Sequence, residues 1–322
     1  MNSAGHGTGA YRVRRINAGK DVAQIADLVE LCFRPFLDPD GIAFIERMRS
    51  VAVDWQRFPF LSLFAQADFS ITGYVCEAAD GQIIGNVNLF PATVKNRAAF
   101  LIANVCVHPE YRKRGIAALM MREALCEAEK KRGAAIYLQV REETPEVLRM
   151  YQKLGFLVDE YRTGWLHPRK FVRETEAGDI RREKIRGVKR RDLAEAFEKW
   201  YPPDVVWNLN YDPGIFHCGA FLFLSRFFVQ NDVETFRVTD LTGEAVCWIG
   251  FQPTNSFCNN LWVVPAQGCQ DIRMESVLST FGSRYGRFKP LLVSFPKGVY
   301  VDAFLKAGFF VHNRLVWMHK PL

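Results

Sequence analysis

The stretch VCVHPEYRKRGIAALMMREAL, residues 105–125, decides the fold of this 322-residue chain. Val105 and Val107 form the β-branched end of a strand, and Pro109 stops its ladder because proline has no N–H to donate. A helix is predicted from near Arg114 and Gly115, and Ala118, Leu119, Met121, Arg122 and Leu125 continue it at helical spacing with an apolar face. Between strand and helix stand Arg112, Lys113, Arg114 and Gly115. The first turn of a helix leaves backbone N–H groups without partners, and with the positive end of the helix dipole these attract a phosphate. Gly115 lets the backbone approach a ligand, small Ala117 keeps the wall clear, and three basic side chains add charge. A diphosphate suits such a turn.

Downstream, Ala134 to Val140 (AAIYLQV) reads as a strand parallel to the first, with the helix between them as the crossover that parallel strands need. In ETPEVLRMYQKLGF, residues 143–156, Thr144 caps a helix, Pro145 takes its first position and Glu146 its first turn. Gly155 ends that helix, which puts Tyr151 in its last full turn. Upstream, a strand is expected over 11–16 and a helix over 21–33 with Asp21 as N-cap. A loop and a short helix follow over 34–60. A hairpin is expected from 71–78 and 83–93 around Asp80-Gly81, and a third strand over 99–107 enters the basic turn.

Composition bounds the rest. A chain that is 49% hydrophobic at this length buries one large core or two ordinary ones, and two is the better prior. A net charge of +7, from 42 basic and 35 acidic residues, suits a polyanionic cofactor as well as a nucleic acid, so charge alone does not decide between them, and a nucleic-acid partner is not expected. The eight cysteines show no C-x-x-C pair and no metal spacing with the six histidines, so they read as reduced thiols with no metal expected. The N-terminal residues are small, polar and basic, without the apolar stretch of a signal peptide. The longest apolar run, Phe216 to Leu224, is far short of the roughly 20 residues of a membrane span. A cytoplasmic protein without a membrane partner is the expectation.

The strand, then Arg112-x-x-Gly115-x-Ala117, then a helix, and further on Tyr151-x-x-x-Gly155-Phe156, resemble the two landmarks of the GCN5-related N-acetyltransferase (GNAT) superfamily. The resemblance implies an α/β fold, a mixed and mostly antiparallel sheet flanked by helices, and acetyl-coenzyme A as co-substrate. By matched position the backbone of Val105, Cys106 and Val107 would hold the pantetheine arm. That of Arg112, Lys113, Arg114, Gly115, Ile116 and Ala117 would hold the diphosphate, and Thr144 stands where the family commonly has an asparagine that contacts the cofactor. Tyr151 would protonate the departing thiolate after an amine attacks the thioester directly. One departure is plain: no Asp or Glu lies between Arg97 and Val107 to serve as general base, Leu101 stands near that place, and Asn104 could at most orient a water.

The chain also repeats itself. Tyr151-Gln-Lys-Leu-Gly-Phe156 has a partner in Phe304-Leu-Lys-Ala-Gly-Phe309, each followed by a strand ending Trp165-Leu-His167 or Trp317-Met-His319. Val107-His-Pro109 matches Val263-Val-Pro265, and the strand and helix of 12–31 match Lys184 to Trp200. Two tandem acyl-CoA N-acyltransferase domains are therefore expected, at 11–172 and 180–322, after a disordered 1–10 and with a polar boundary near 171–179. The copies differ. After Pro265 the second reads AQGCQDIRMES, with no R-x-x-G-x-A, and Phe304, which has no proton to give, replaces Tyr151. The second copy is read as degenerate.

The leading reading is transfer of an acetyl group to a primary amine on a small molecule or peptide. A non-catalytic acyl-coenzyme A sensor, or a transferase with another acyl donor such as an aminoacyl group on tRNA, remains open. The acceptor is expected between the second domain and the segment carrying Phe33, Phe36, Asp38, Asp40, Asp54, Trp55, Phe58 and Phe60, since aromatics with carboxylates suit an organic cation; a plain core beneath two helices competes with this. The basic run from Arg181 to Arg191 reads as a solvated face, the aromatic run from Phe221 to Phe228 as packing, and Cys106 as a buried thiol.

Overall fold

The computed structural model describes residues 11–57, 71–169, 180–184, 191–209, 211, 215 and 233–322. Packing divides the chain into two units. One holds the chain as far as Gln139 together with 145–157 and 318–322, and the other holds 140–144 and 158–317.

In the first unit the order is β1 (Tyr11–Arg15), α1 (Ala18–Phe33), a 3-10 turn (Arg34–Phe36), α2 (Pro39–Arg57), β2 (Gly73–Ala78), β3 (Ile83–Val94), β4 (Arg97–Val107), α3 (Ile116–Lys130), β5 (Ala135–Arg141) and α4 (Pro145–Lys153). β1 to β4 pair antiparallel in sequence, and β5 lies parallel to β4. Lys95 and Asn96, at φ 50 and 58, close β3 onto β4 in a two-residue turn of the hand that fits strand twist. Val22, Ile25 and Val29 of α1 and Ile45 and Met48 of α2 are buried with Val75, Ile83 and Cys106 of the sheet. Ile116, Met120, Met121, Ala124 and Ala128 form the buried stripe of α3, and each large side chain among them contributes about 1.5–3 kcal/mol.

Two helix starts differ from expectation. α1 begins at Ala18 with Asn17 before it, and Asp21 is not the cap. Its buried carboxylate accepts the Asn17 N–H at 2.7 Å and two Arg14 N–H groups at 2.6 and 2.9 Å, so an ion pair to β1 pulls the first turn back toward the strand. α2 is 19 residues long rather than short, because the Asp38 carboxylate accepts the Gly41 N–H at 2.8 Å and starts the helix directly after the 3-10 turn.

The second unit repeats the order with β7 (Ile180–Lys184), α5 (Arg191–Trp200), α6 (Pro203–Val206), β8 (Glu234–Asp240), β9 (Ala245–Gln252), β10 (Asn259–Pro265), α7 (Asp271–Tyr285), β11 (Leu291–Pro296), α8 (Val301–Lys306) and β12 (Phe310–Pro321). β7 to β10 pair antiparallel, β10 and β11 parallel. The strand that leaves α4, β6 (Leu157–His167), pairs antiparallel with β11 from Leu291↔His167 to Pro296↔Arg162, so it packs with the second unit. Conversely the last five residues pack with the first unit, where the Leu322 N–H donates to the Ala134 carbonyl at 3.2 Å. The segment expected as the boundary, 171–179, lies outside the described residues.

Candidate active site

β3 and β4 pair regularly except at one place. Gly85 faces Val107 and Asn86 faces Cys106, but Asn88 faces Ala103, so Asn104 and Val105 together oppose Val87. The extra residue is Asn104, at φ 51, a left-handed conformation in which a bulged strand bends and its twist tightens. Three asparagines hold the bulge. Asn88 Oδ1 accepts from Asn86 Nδ2 and from Asn104 Nδ2, each at 3.0 Å, and Asn86 Nδ2 also donates to the Asn104 carbonyl at 2.9 Å. Asn86 and Asn88 are fully buried. On its other side β4 pairs with β5 at Phe100↔Ile136 and Leu101↔Tyr137, although β4 runs on to Val107. The strands diverge where the bulge begins, which leaves the backbone of Val105, Cys106 and Val107 along an opening.

The basic turn lies at the end of that opening. After a 3-10 turn over Pro109–Tyr111, Lys113 and Gly115 both take left-handed φ, 61 and 77, and α3 starts at Ile116 with Gly115 as its cap. A glycine cap has no side chain to accept the first helical N–H groups, so they face outward uncapped. A Cβ placed on Gly115 would meet nothing within 4 Å, so there is room for a ligand to reach the turn. Arg112 Nε donates to the Val107 carbonyl at 3.1 Å, and the Arg114 guanidinium lies 5.0 Å from the Tyr111 ring centre and donates to the Glu110 carbonyl at 3.0 Å. Those contacts hold the turn while Arg112, Lys113 and Arg114 stay exposed. The residues fit an anionic, diphosphate-bearing cofactor.

Tyr151 sits in the last turn of α4, where Gly155 at φ 88 reverses the chain and the Phe156 N–H returns to the Tyr151 carbonyl at 3.1 Å. Its ring packs edge-on against Phe156 at 5.7 Å and is 4% exposed. The hydroxyl makes no hydrogen bond to the described residues. Burial, and secondarily the neighbouring Cys106, push its pKa well up, so the phenol keeps its proton. Cys106 is buried in the cluster against which Cys32 of α1 packs, and the Cys32 thiol donates to the Val107 carbonyl at 3.5 Å.

The matching places of the second unit are closed. β9 and β10 pair without a bulge from Asn260↔Gln252 to Pro265↔Cys247. β10 and β11 also diverge after Asn260↔Leu292, but Trp200 occupies that region: its Nε1 donates to the Pro265 carbonyl at 3.2 Å and its ring stacks on Phe295 of β11 at 5.2 Å. The hydroxyl of Tyr201 accepts the Val263 N–H, and Phe304 is buried flat against Trp165, ring centres 4.8 Å apart. Asp271 puts a carboxylate in the first turn of α7, where an anion would otherwise go.

The remaining sequence-derived candidates are less concentrated. Thr144 belongs to the second unit and its hydroxyl donates to the Arg141 carbonyl at 2.8 Å. Phe33 packs into the α1–α2 core, Asp38 is spent on the start of α2, and Phe36 is exposed. Asp40 stands in the first turn of α2; Asp54 and Trp55 lie on the same helix with side chains outside the description, and Phe58, Phe60 and 221–228 lie outside the described residues. Lys184 of the basic run pairs with Glu234. Sequence reading missed Asn86, Asn88 and Cys32. The signal for the first two was an N-x-N pair on one face of an otherwise apolar strand. Among the described residues, no helix is long and apolar enough to cross a membrane, and no three His, Cys, Asp or Glu gather as metal ligands.

Residues 70–158 match the family model described as "Acetyltransferase (GNAT) domain". No curated protein matches the sequence. Among solved structures, a GCN5-related N-acetyltransferase from Sphaerobacter thermophilus is similar at TM-score 0.58 and 16% identity, over 97% of this chain and 95% of that one. A tandem GNAT protein from the clavulanic acid biosynthesis pathway is similar at TM-score 0.52 and 13% identity, over 97% and 98%. A glucosamine N-acetyltransferase region of a fungal multi-domain β-N-acetylglucosaminidase is similar at TM-score 0.59 and 13% identity, over 98% of this chain and 38% of that one. The family model covers the bulged strand, the basic turn and Tyr151, and the likeness to solved structures extends over both units. Residues 70–158 thus match the acetyltransferase (GNAT) domain model, and the fold is shared with a solved tandem GNAT protein.

Proposed function

We propose that this chain moves an acetyl group from acetyl-coenzyme A to a primary amine by direct attack, with the active site in the first unit and a degenerate second copy. The observation that carries this reading is the contrast between the two strand gaps. That between β4 and β5 is bulged at Asn104 and ends in an uncapped, basic helix start, whereas the region between β10 and β11 holds Trp200 and a Val263 N–H already bonded to Tyr201.

In this reading the backbone of Val105 to Val107 pairs with the pantetheine arm as another strand would, and the turn from Arg112 to Ala117 holds the diphosphate. Bound there, the cofactor supplies an activated acyl thioester. N–H groups on the β4 edge stabilise the oxyanion as the amine attacks. The Tyr151 hydroxyl donates a hydrogen bond to the sulfur as negative charge builds on it. The raised pKa means that its proton is present at neutral pH, and no described residue accepts it. Asn104 is bound to Asn88 in the bulge, and β4 carries no carboxylate, so the acceptor amine loses its proton to water.

The deciding experiment is a turnover screen of the full chain with acetyl-coenzyme A against panels of primary amines, read by thiol release. Release with at least one amine is expected. Tight coenzyme A binding without release for any amine would favour the sensor reading, which the missing β4 carboxylate supports.

A further inference from the structure

Cys32 stands one residue before the end of α1 and Cys106 one residue before the end of β4. Cys32 packs against the buried cluster that contains Cys106, and its thiol donates at 3.5 Å to the carbonyl of the next residue, Val107, the same oxygen that accepts Arg112 Nε at 3.1 Å. Cys106 is buried and Cys32 half-buried, so one sulfur of the pair is reachable and the other stands behind it. We infer that Cys32 and Cys106 are a disulfide-forming pair, with Cys32 the sulfur that meets a peroxide and Cys106 the one that resolves it.

The electrostatics agree with that division. The neighbouring Cys106 and the Arg112 guanidinium hold the Cys32 thiol down at about 7, which makes it a thiolate in useful amount at neutral pH, while the neighbouring Cys32 and full burial push Cys106 up. The second unit supplies a contrast. Burial raises both Cys247, which also feels Cys269, and Cys269 itself, so neither offers a thiolate.

The chemistry balances with hydrogen peroxide as oxidant. The Cys32 thiolate attacks one peroxide oxygen, the O–O bond breaks, and Cys32 becomes a sulfenic acid with loss of hydroxide. The Cys106 sulfur then attacks the Cys32 sulfur, the S–O bond breaks, and the departing hydroxide takes the Cys106 proton as water. Two thiols are oxidised by two electrons to one disulfide, and one peroxide is reduced to two waters. The bond ties α1 to β4 between Val105 and Val107. If those backbones hold the pantetheine, as proposed above, oxidation weakens cofactor binding; this consequence rests on that reading.

The test uses the full chain, reduced and then treated with hydrogen peroxide, quenched by alkylation and mapped by peptide mass. A Cys32–Cys106 link reversible by dithiothreitol is expected, absent in Cys32→Ser, while Cys106→Ser stops at a sulfenic acid trapped by dimedone on Cys32. Coenzyme A affinity by calorimetry should fall on oxidation by about tenfold or more and return on reduction. A sulfenic acid that persists on Cys32 in the wild-type chain, or a link between other cysteines, overturns the pair. A link that leaves coenzyme A affinity unchanged overturns its effect on the cleft. Absence of coenzyme A binding by the reduced chain would reject the cofactor reading instead, and the mapped link would still decide the pair.

Discussion

The hydroxyl of Tyr201 accepts the backbone N–H of Val263 at 3.3 Å. In the first unit the matching residue is Val107, whose backbone lies along the opening between β4 and β5. In the second unit a side chain takes the place that, on the proposed reading, the pantetheine amides use in the first. Coenzyme A is accordingly expected to bind once per chain, measured by calorimetry. Tyr201→Phe should lower stability by about 1–3 kcal/mol, because it strands a buried N–H, and should not create a second binding event. A stoichiometry of two for the wild-type chain would reject the asymmetry.

Gly115→Val tests the basic turn. At φ 77, with open space around the added Cβ, the cost is backbone strain and not collision, on the order of 1–2 kcal/mol. Gly81→Val, at φ 87 and equally open in the β2–β3 turn, should carry a similar stability cost. Only the first should weaken coenzyme A binding. Equal affinities for the two variants would remove the turn from the site.

Tyr151→Phe should leave the melting transition nearly where it was, since the hydroxyl bonds to none of the described residues and the ring keeps its contact with Phe156. Turnover is expected to fall roughly 10²-fold with little change in coenzyme A affinity, the pattern of a proton donor. Full turnover with a good acceptor would exclude Tyr151 from the reaction.

Position 104 separates backbone geometry from side-chain bonding. Asn104→Gly keeps the left-handed backbone and loses one hydrogen bond to Asn88, about 1 kcal/mol, whereas Asn104→Val asks a β-branched residue to hold φ 51. The valine variant should lose more stability and more coenzyme A affinity than the glycine variant. The reverse order, in paired calorimetry and denaturation curves, would show that the bulge does not shape the cleft.

Alkylation of Cys32 by iodoacetamide should titrate with a midpoint of about 7, below the usual thiol range because Cys106 and Arg112 favour the thiolate. Since the folded-state value is depressed, this group adds stability that is present above the unfolded-state pKa and is lost as pH falls through about 7. Cys106→Ala should move the midpoint upward and slow the reaction at neutral pH. A midpoint that stays put would mean that Cys106 does not set it.

The sequence by itself determined the acetyltransferase landmarks and the element order. Arg112 to Ala117 and Tyr151 to Phe156 are local signals: a proline that stops a strand, a glycine that must turn left-handed, and a cap that starts a helix act within a few residues and leave their mark in composition. The internal repeat was legible for the same reason, in Gly155-Phe156 and Gly308-Phe309. Only the tertiary structure decided the rest. Whether Asn86, Asn88 and Asn104 meet depends on a register between two strands, and a one-residue bulge is set by pairing that no local propensity encodes. The start of α1 moved because Asp21 answers Arg14 across a strand–helix corner. Cys32 joined Cys106 from a point 74 positions earlier in the chain. Trp200 and Tyr201 reach β10 only because α5 delivers them there, and burial raises the pKa values of Tyr151 and Cys106 through desolvation that sequence spacing does not carry.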